Sequence, residues 1–328
     1  LWHSTHRDVH PTPVTYNELL ERTIAYGTAV RKAYPEVLIA GPAEWGWTGY
    51  FYSGLDAAVG VGKAPDRHAH RNVPLIPWWL HSVREYEKKN RIKLLDVLDV
   101  HFYPQGSNIG FDKGGATDRL TNALRIRSTR SLWDPNYVDE SWIDDRVELI
   151  PRLRRWVNEN APGLGLALGE YSFGAAEHQS GGLAQAEALG RFGTEGLTAA
   201  FYWFLPPKDS PAYWAFRAYR NFDGKGGQFL DFSVPVLNQT SQASLFASRS
   251  AGGDHLVMVL LNLDPGQPLA AEIDLGSCAS AYKERAFVYT GGKGGFTAAG
   301  ASQPSSGVLR RTAPPYSMTV LDLIPAGK

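Results

Sequence analysis

The sequence predicts an α/β segment followed by an all-β segment: the C-terminal half of a (β/α)8 TIM-like barrel, then an antiparallel β-sandwich domain. Two observations carry this. Apolar strands alternate with amphipathic helices from Val37 to Asn221, and such alternation implies a parallel sheet with right-handed crossovers. After Asp223-Gly224-Lys225-Gly226-Gly227 the texture changes to short alternating runs separated by turn clusters, a sandwich pattern. A boundary is therefore expected at 222/223, dividing 1–222 from 223–328, and a length of 328 residues agrees with two domains. Four strand–helix units make half an eight-stranded barrel or an open doubly wound sheet, but no glycine-rich phosphate turn follows any strand here.

The elements follow in order. Thr15–Tyr34 has helical apolar spacing, with Thr15 and Glu18 placed as a capping box and Pro35 as the stop. Val37–Ala40 reads as a short strand entering the aromatic loop Glu44-Trp45-Gly46-Trp47. Pro74–Asn90 returns to helix, with Trp78, Trp79, Val83 and Tyr86 on its buried side. Leu94–Tyr103 takes strand character towards its end. Pro104 to about Asp139 is expected as a long loop, and Ser141–Asn160 as a helix. The Gly163–Gly174 strand, the helix Gly182–Gly193, the strand Leu197–Leu205 and the helix Pro211–Asn221 complete the first segment. In the second, strands are expected at Ser244–Ser248, His255–Leu261, Leu269–Leu275, Ala286–Tyr289, Val308–Arg311 and Ser317–Leu323.

Within Gly163–Gly174, Leu164, Leu166, Ala167 and Leu168 suit a strand covered on both faces. Gly169 lets the backbone pass close to something, and Glu170 follows where strand becomes loop. At the C-terminal mouth of a parallel barrel such a carboxylate faces the site; at an ordinary strand end it is a solvated acid.

Composition excludes several classes. With 33 basic and 33 acidic residues the formal charge is zero, so no polybasic field gathers nucleic acid or anionic lipid. No apolar run is long enough to span a bilayer. Ten Trp and fifteen Tyr raise the aromatic share to 12%; flat rings stack on the C–H faces of sugars and also fill cores. Cys278 is the sole cysteine, which rules out an internal disulfide. Leu-Trp-His-Ser-Thr-His at the start has neither the Met nor the basic flank and apolar stretch of a leader, and reads as a chain cut from a longer one.

The words LWHSTHRDVHP, TYNELLERTIA, LLDVLDVHFYPQ, RSLWDP, SWI, LIPRL, GEYSFG, HQSGGLAQAEALGRFG and YRNFDGKG occur in this order from Leu1 to about residue 230. Together they resemble glycoside hydrolase family 44, the family of β-1,4-glucanases that includes endoglucanases and xyloglucanases. The resemblance implies a (β/α)8-like barrel with a β-sandwich behind it, retention of anomeric configuration, and secretion by a bacterium. It implies that Glu170, in Gly169-Glu170-Tyr171, is the nucleophile; Gly169 stands where the family often has Thr. The family's acid/base is a Glu in an Asn-Glu-Pro motif just ahead of the segment matching Leu1-Trp2, and no such motif occurs in this sequence. The expectation is a piece of an endo-acting β-glucanase, inactive alone, that begins just after its acid/base.

The resemblance places Trp203 as the floor of a sugar subsite and Trp133 and Trp142 along the cleft. His101 and Tyr103 lie at another strand mouth, where either could hydrogen-bond the nucleophile or a sugar hydroxyl. Tyr171, Trp45 and Trp47 complete the candidate substrate contacts. The partner is a β-glucan polysaccharide, with no nucleic acid or membrane partner and a monomeric state expected; the chemistry requires no cofactor. A structural calcium in the barrel stays open, with no ligands identified. His3, His6 and His10 with Asp8 offer a rival metal-dependent reading, but their spacing matches no H-E-x-x-H motif. A non-catalytic carbohydrate-binding module is the other rival. Glu44, Asp96, Asp99, Asp144, Asp145 and Glu177 are expected to be solvated or ion-paired, with Glu177 the best internal stand-in for an acid.

Overall fold

A computed structural model of the chain describes residues 7–111, 114–237, 240–276, 282–301 and 307–325. His3, His6 and Cys278 lie outside the described residues. In chain order the elements are α1 (Tyr16–Ala33), β1 (Ala40–Glu44), α2 (Trp47–Phe51), α3 (Gly54–Val59), α4 (Pro65–Ala69), α5 (Leu75–Asn90), β2 (Val97–Phe102) and α6 (Arg119–Arg127). Then come α7 (Leu149–Asn160), β3 (Gly165–Tyr171), α8 (Gln179–Thr194), β4 (Ala199–Tyr202) and α9 (Pro211–Tyr219). The remaining strands are β5 (Phe232–Val234), β6 (Ala243–Arg249), β7 (Leu256–Asn262), β8 (Leu269–Asp274), β9 (Tyr282–Tyr289), β10 (Thr297–Ala299), β11 (Val308–Ala313) and β12 (Ser317–Pro325).

Two compact groups emerge from the packing. The first holds the chain up to Tyr103 together with Val147–Tyr171 and Leu197–Tyr202. Its centre is a parallel sheet ordered β1-β2-β3-β4, as strand–helix alternation requires. α1 starts where expected, the Thr15 hydroxyl accepting the Glu18 amide at 3.2 Å. The first strand begins three residues later than expected. The Ile39 amide donates to the Asp96 side chain and the Ile39 carbonyl accepts the Asp96 amide, both at 2.9 Å, so a side chain joins the backbone in pinning the strand entry. The helix expected from Ser141 begins only at Leu149. Asp144 and Glu148 sit at φ of 44° and 41°, and left-handed residues interrupt a right-handed helix.

The second group holds Pro104–Arg146, Ser172–Gly196 and the chain from Trp203 onward. Packing therefore follows a different partition from the change in sequence texture at 222/223: α8 and α9 belong with the antiparallel strands. The segment expected as a loop contains α6, capped by Asp118 Oδ1, which accepts the Leu120 and Thr121 amides at 3.0 Å. Arg125 on α6 is fully buried and donates to the Ile109, Ala116 and Phe173 carbonyls.

The antiparallel strands form a six-stranded sheet, β10-β9-β12-β7-β6-β5, and a two-stranded one, β11-β8. Leu183, Ala186, Ala215 and Tyr219 of α8 and α9 cover Val257, Val259 and Leu261 on one face of β7. Ile273 of β8 and Leu309 of β11 pack on the other side with Met258 and Leu321. A strand covered on both faces reads as an unbroken apolar run, which is why β7 is LVMVLLN and buried throughout. Gly190 of α8 is required here: a Cβ would stand 2.3 Å from the Phe246 ring. The short strands β5 and β10 are additions to the expected set. Among the described residues no helix is long and apolar enough to cross a membrane.

Candidate active site

The chemistry-bearing residues of the first group collect at the C-terminal ends of β1, β2 and β3. Asp99, His101 and Tyr103 alternate along and just beyond β2, and so share one face of the sheet. Beside them β3 carries a bulge. Val100 pairs with Leu168 and His101 with Glu170, leaving Gly169 as the extra residue. A bulge bends its strand and re-aims the next side chain. Glu170 is thereby set against β2: Tyr103 Oη donates to Glu170 Oε2 at 3.0 Å, and His101 Nδ1 lies 3.1 Å from the same oxygen. Both contacts fall on Oε2, which leaves Oε1 for a reacting atom. The Tyr50 hydroxyl donates to the His101 carbonyl and holds the end of β2 in place.

Gly169 does pass close to something. A Cβ at this position would stand 2.5 Å from Asp99 Oδ2. Its amide donates to the Asp99 carboxyl.

β1 repeats the device. Pro42 pairs with Asp99 and Glu44 with Val100, and the extra residue, Ala43, sits at φ 62°, a left-handed conformation costly for a residue with a Cβ. Glu44 is only 4% exposed. Oε2 has no hydrogen-bond partner among the described residues, and Gly49 leaves it room where a Cβ would stand 2.0 Å away.

Electrostatics separate these carboxyls. Burial pushes Glu44 up to about 8, only partly opposed by the Trp45 amide, so it is a neutral acid at pH 7. Burial also raises Asp99; the Gly169 amide and His101 oppose this, and the Glu170 charge adds to it. Burial, then the hydrogen bond to Glu170, drives the Tyr103 hydroxyl far above its ordinary value, so it stays a donor. Asp96 is the contrast: burial opposes ionisation there, but Lys93, the Ile39 amide and Arg31 outweigh it and hold Asp96 at about 2. The expectation of solvated or paired acids holds for Asp96 and for the exposed Asp144, Asp145 and Glu177. It fails for Glu44 and Asp99. The signal was available: Glu44 ends a strand just as Glu170 does, and Asp99 precedes His101 and Tyr103 at a spacing of two.

The aromatic candidates divide. Tyr171 is 1% exposed, its ring 5.5 Å from that of Tyr202, a packing position where a sugar contact was expected. Trp47 lies between Phe51 and Tyr50, with the Arg152 guanidinium 5.3 Å from its ring centre. Trp45 is 37% exposed. In the second group, Trp203 and Trp142 are 49% and 59% exposed, and Trp142 Nε1 donates to Gln105 Oε1 at 3.2 Å. Trp133 is half-buried. Arg191 covers one face at 3.8 Å, and the indole lines a cavity of about 620 Å³ with Ile126, Glu187 and Tyr316.

The metal reading gains no support from His10, whose Nε2 is 2.6 Å from Glu18 Oε1 and whose Nδ1 bonds the Thr12 carbonyl. Among the described residues no cluster of three or more His, Cys, Asp or Glu side chains could hold a metal ion.

The model of Glycoside hydrolase family 44 matches residues 1–106. Endoglucanase A of Paenibacillus lautus is 34% identical over 285 residues, which is 84% of this chain and 40% of that protein. CelM2, a bifunctional glucanase-xylanase from a metagenome library, superposes with a TM-score of 0.93 at 37% identity, over 99% of this chain and 63% of the solved one. A Paenibacillus polymyxa xyloglucanase, solved with xyloglucan, gives a TM-score of 0.88 at 28% identity, over 99% of this chain and 64% of its own. The chain thus spans less than two thirds of each relative. Ordered motifs, a parallel sheet with separate antiparallel sheets, and these matches together establish that the chain belongs to glycoside hydrolase family 44.

Proposed function

We propose that this chain carries the nucleophile of a secreted, retaining β-1,4-glucanase acting within cellulose-type glucan or xyloglucan chains, with the parallel sheet forming part of a (β/α)8 barrel. The observation that carries the reading is the clamp on Glu170, whose Oε2 receives Tyr103 Oη at 3.0 Å and lies 3.1 Å from His101 Nδ1. The Tyr103 donor and the neighbouring imidazole on one oxygen orient the carboxylate and present Oε1 to an anomeric carbon.

In the first step Oε1 attacks that carbon, the glycosidic C–O bond breaks, and the departing oxygen takes a proton from an acid. In the second, water attacks the glycosyl–Glu170 ester, gives its proton to the same group, and frees the carboxylate. Retention requires the two carboxyls to stand about 5–5.5 Å apart. No residue of this sequence is assigned the acid/base role, which the family resemblance gives to an Asn-Glu-Pro glutamate. Tyr103 keeps its proton throughout and follows the charge on Oε2 as it falls and returns. Trp203, Trp142 and Trp45 offer exposed rings for sugar faces. The chemistry requires no cofactor, and the protein is proposed to work as a monomer.

The test is intact-mass spectrometry after exposure to a 2-fluoro aryl β-cellobioside with a very good leaving group, which needs no acid for the first step. One added sugar unit mapped to Glu170 is expected, and none on the Glu170→Gln variant. An adduct on another residue, or equal labelling of the variant, removes the assignment. Retention on cellulose without any adduct favours a glycan-binding module.

A further inference from the structure

We propose that Asp99 is the positioning residue of the nucleophile: its carboxyl fills the space beside residue 169 and holds the bulge that aims Glu170 at His101 and Tyr103. The inference rests on the nucleophile reading of Glu170.

Three observations converge. The volume in which any side chain at position 169 would begin is already taken, since a Cβ there would meet Asp99 Oδ2 at 2.5 Å, Oδ1 at 2.7 Å and Cγ at 2.9 Å. Distances under 3.0 Å cannot be absorbed without moving the carboxyl or the bulge, so the glycine and the aspartate are one fitted pair. The Gly169 amide donates to that carboxyl, and it is the amide of the extra residue between the Val100–Leu168 and His101–Glu170 pairings. A bulged residue has no partner across the ladder; Asp99 supplies one. Thirdly, Asp99 Oδ1 is buried without a hydrogen-bond partner among the described residues. An acid kept in such a place is costly, and its contact with Gly169 gives a reason for keeping it.

The geometry assigns a division of labour along one strand face. Tyr103 and His101 grip the Glu170 carboxylate itself, while Asp99, two residues further back, grips the backbone that carries it. Without Asp99, the peptide between Leu168 and Glu170 is free to rotate, and Glu170 Oε2 drifts from Tyr103 and His101. Misplacement of a reacting group by about 1 Å costs on the order of a hundredfold.

The experiment is a double-mutant cycle of Asp99→Ala and Gly169→Ala, with Asp99→Asn as the shape-preserving variant. Two readouts are taken: thermal midpoint, and rate of Glu170 labelling by the 2-fluoro aryl β-cellobioside. Gly169→Ala is expected to lower the midpoint with Asp99 present and to be near neutral once Asp99 is alanine, because the space has been vacated. Asp99→Ala is expected to slow labelling roughly tenfold to a hundredfold. Asp99→Asn, whose amide oxygen still accepts the Gly169 N–H, is expected to recover most of that rate. Additive midpoints overturn the fitted pair. Labelling of Asp99→Ala within about twofold of wild type, or Asp99→Asn as slow as Asp99→Ala, overturns the positioning role. Absence of any adduct on the wild type overturns the nucleophile reading instead, and the midpoint cycle still decides the pair.

Discussion

The parallel sheet and the antiparallel sheets spend their residues differently. Each pairing of the parallel sheet shifts register near its C-terminal end, at Ala43, at Gly169 and between Leu168 and Tyr171. Two acids beside those shifts, Glu44 and Asp99, each keep a buried oxygen without a hydrogen-bond partner among the described residues. The antiparallel pairings β7–β12, β9–β12 and β6–β7 keep register over seven or eight residues. Their buried acids stand against bases, Asp322 against Arg285 and His255 Nε2 and Glu284 against Arg311 at 2.6 Å. A region that only has to hold together pairs its charges and packs its strands. The region proposed to present a carboxylate bends its strands and holds Glu44 and Asp99 without an ion-pair partner, as expected where an active site stores strain.

That difference can be tested from its largest expected effect downward. Glu44 has its proton affinity raised by burial from 4.5 to about 8. A raised carboxyl favours folding while protonated in both states, and that contribution is lost as pH rises from the unfolded value through the folded one. Stability is therefore expected to fall by about 4 kcal/mol between pH 4.5 and 8 through this group. Urea midpoints of Glu44→Gln should lose that slope, and an unchanged slope would place Glu44 in water. Leu261→Ala, in the fully buried strand β7, should cost about 3 kcal/mol at all pH values and leave the rate of Glu170 labelling unaltered; a pH-dependent loss would blur the two regions. Tyr103→Phe removes one of the two contacts on Glu170 Oε2, a hydrogen bond to a charged group worth about 2 kcal/mol. Labelling of Glu170 should slow by roughly one to two orders of magnitude with the melting temperature little changed. An equal loss in both would make Tyr103 part of the packing rather than of the site.

Much of the architecture was legible because it rests on local signals. The Thr15–Glu18 cap, the alternation of strand and helix, and the apolar run of β7 each announce an element within a few residues. The failures have physical causes too. α6 was read as loop because its flanks are rich in turn residues, although Asp118 and Thr121 carried an N-terminal signal. The helix expected from Ser141 was delayed by left-handed Asp144 and Glu148, a backbone choice that composition does not reveal. Tyr171 reads as a sugar contact because aromatic residues near strand ends serve packing and binding alike. Only its burial against Tyr202 distinguishes the uses.

The sequence by itself determined the family, the order of elements and the strand-end place of Glu170, because these reside in contiguous words and in the periods of 2 and 3.6. It also indicated that Gly169 needed to be small. The tertiary structure alone decided what the glycine was small for, since Asp99 lies seventy residues away in the chain and meets it only across the β2–β3 pairing. The same holds for Glu44: whether an acid is solvated or buried depends on the helix that folds over it, and no local pattern encodes that cover.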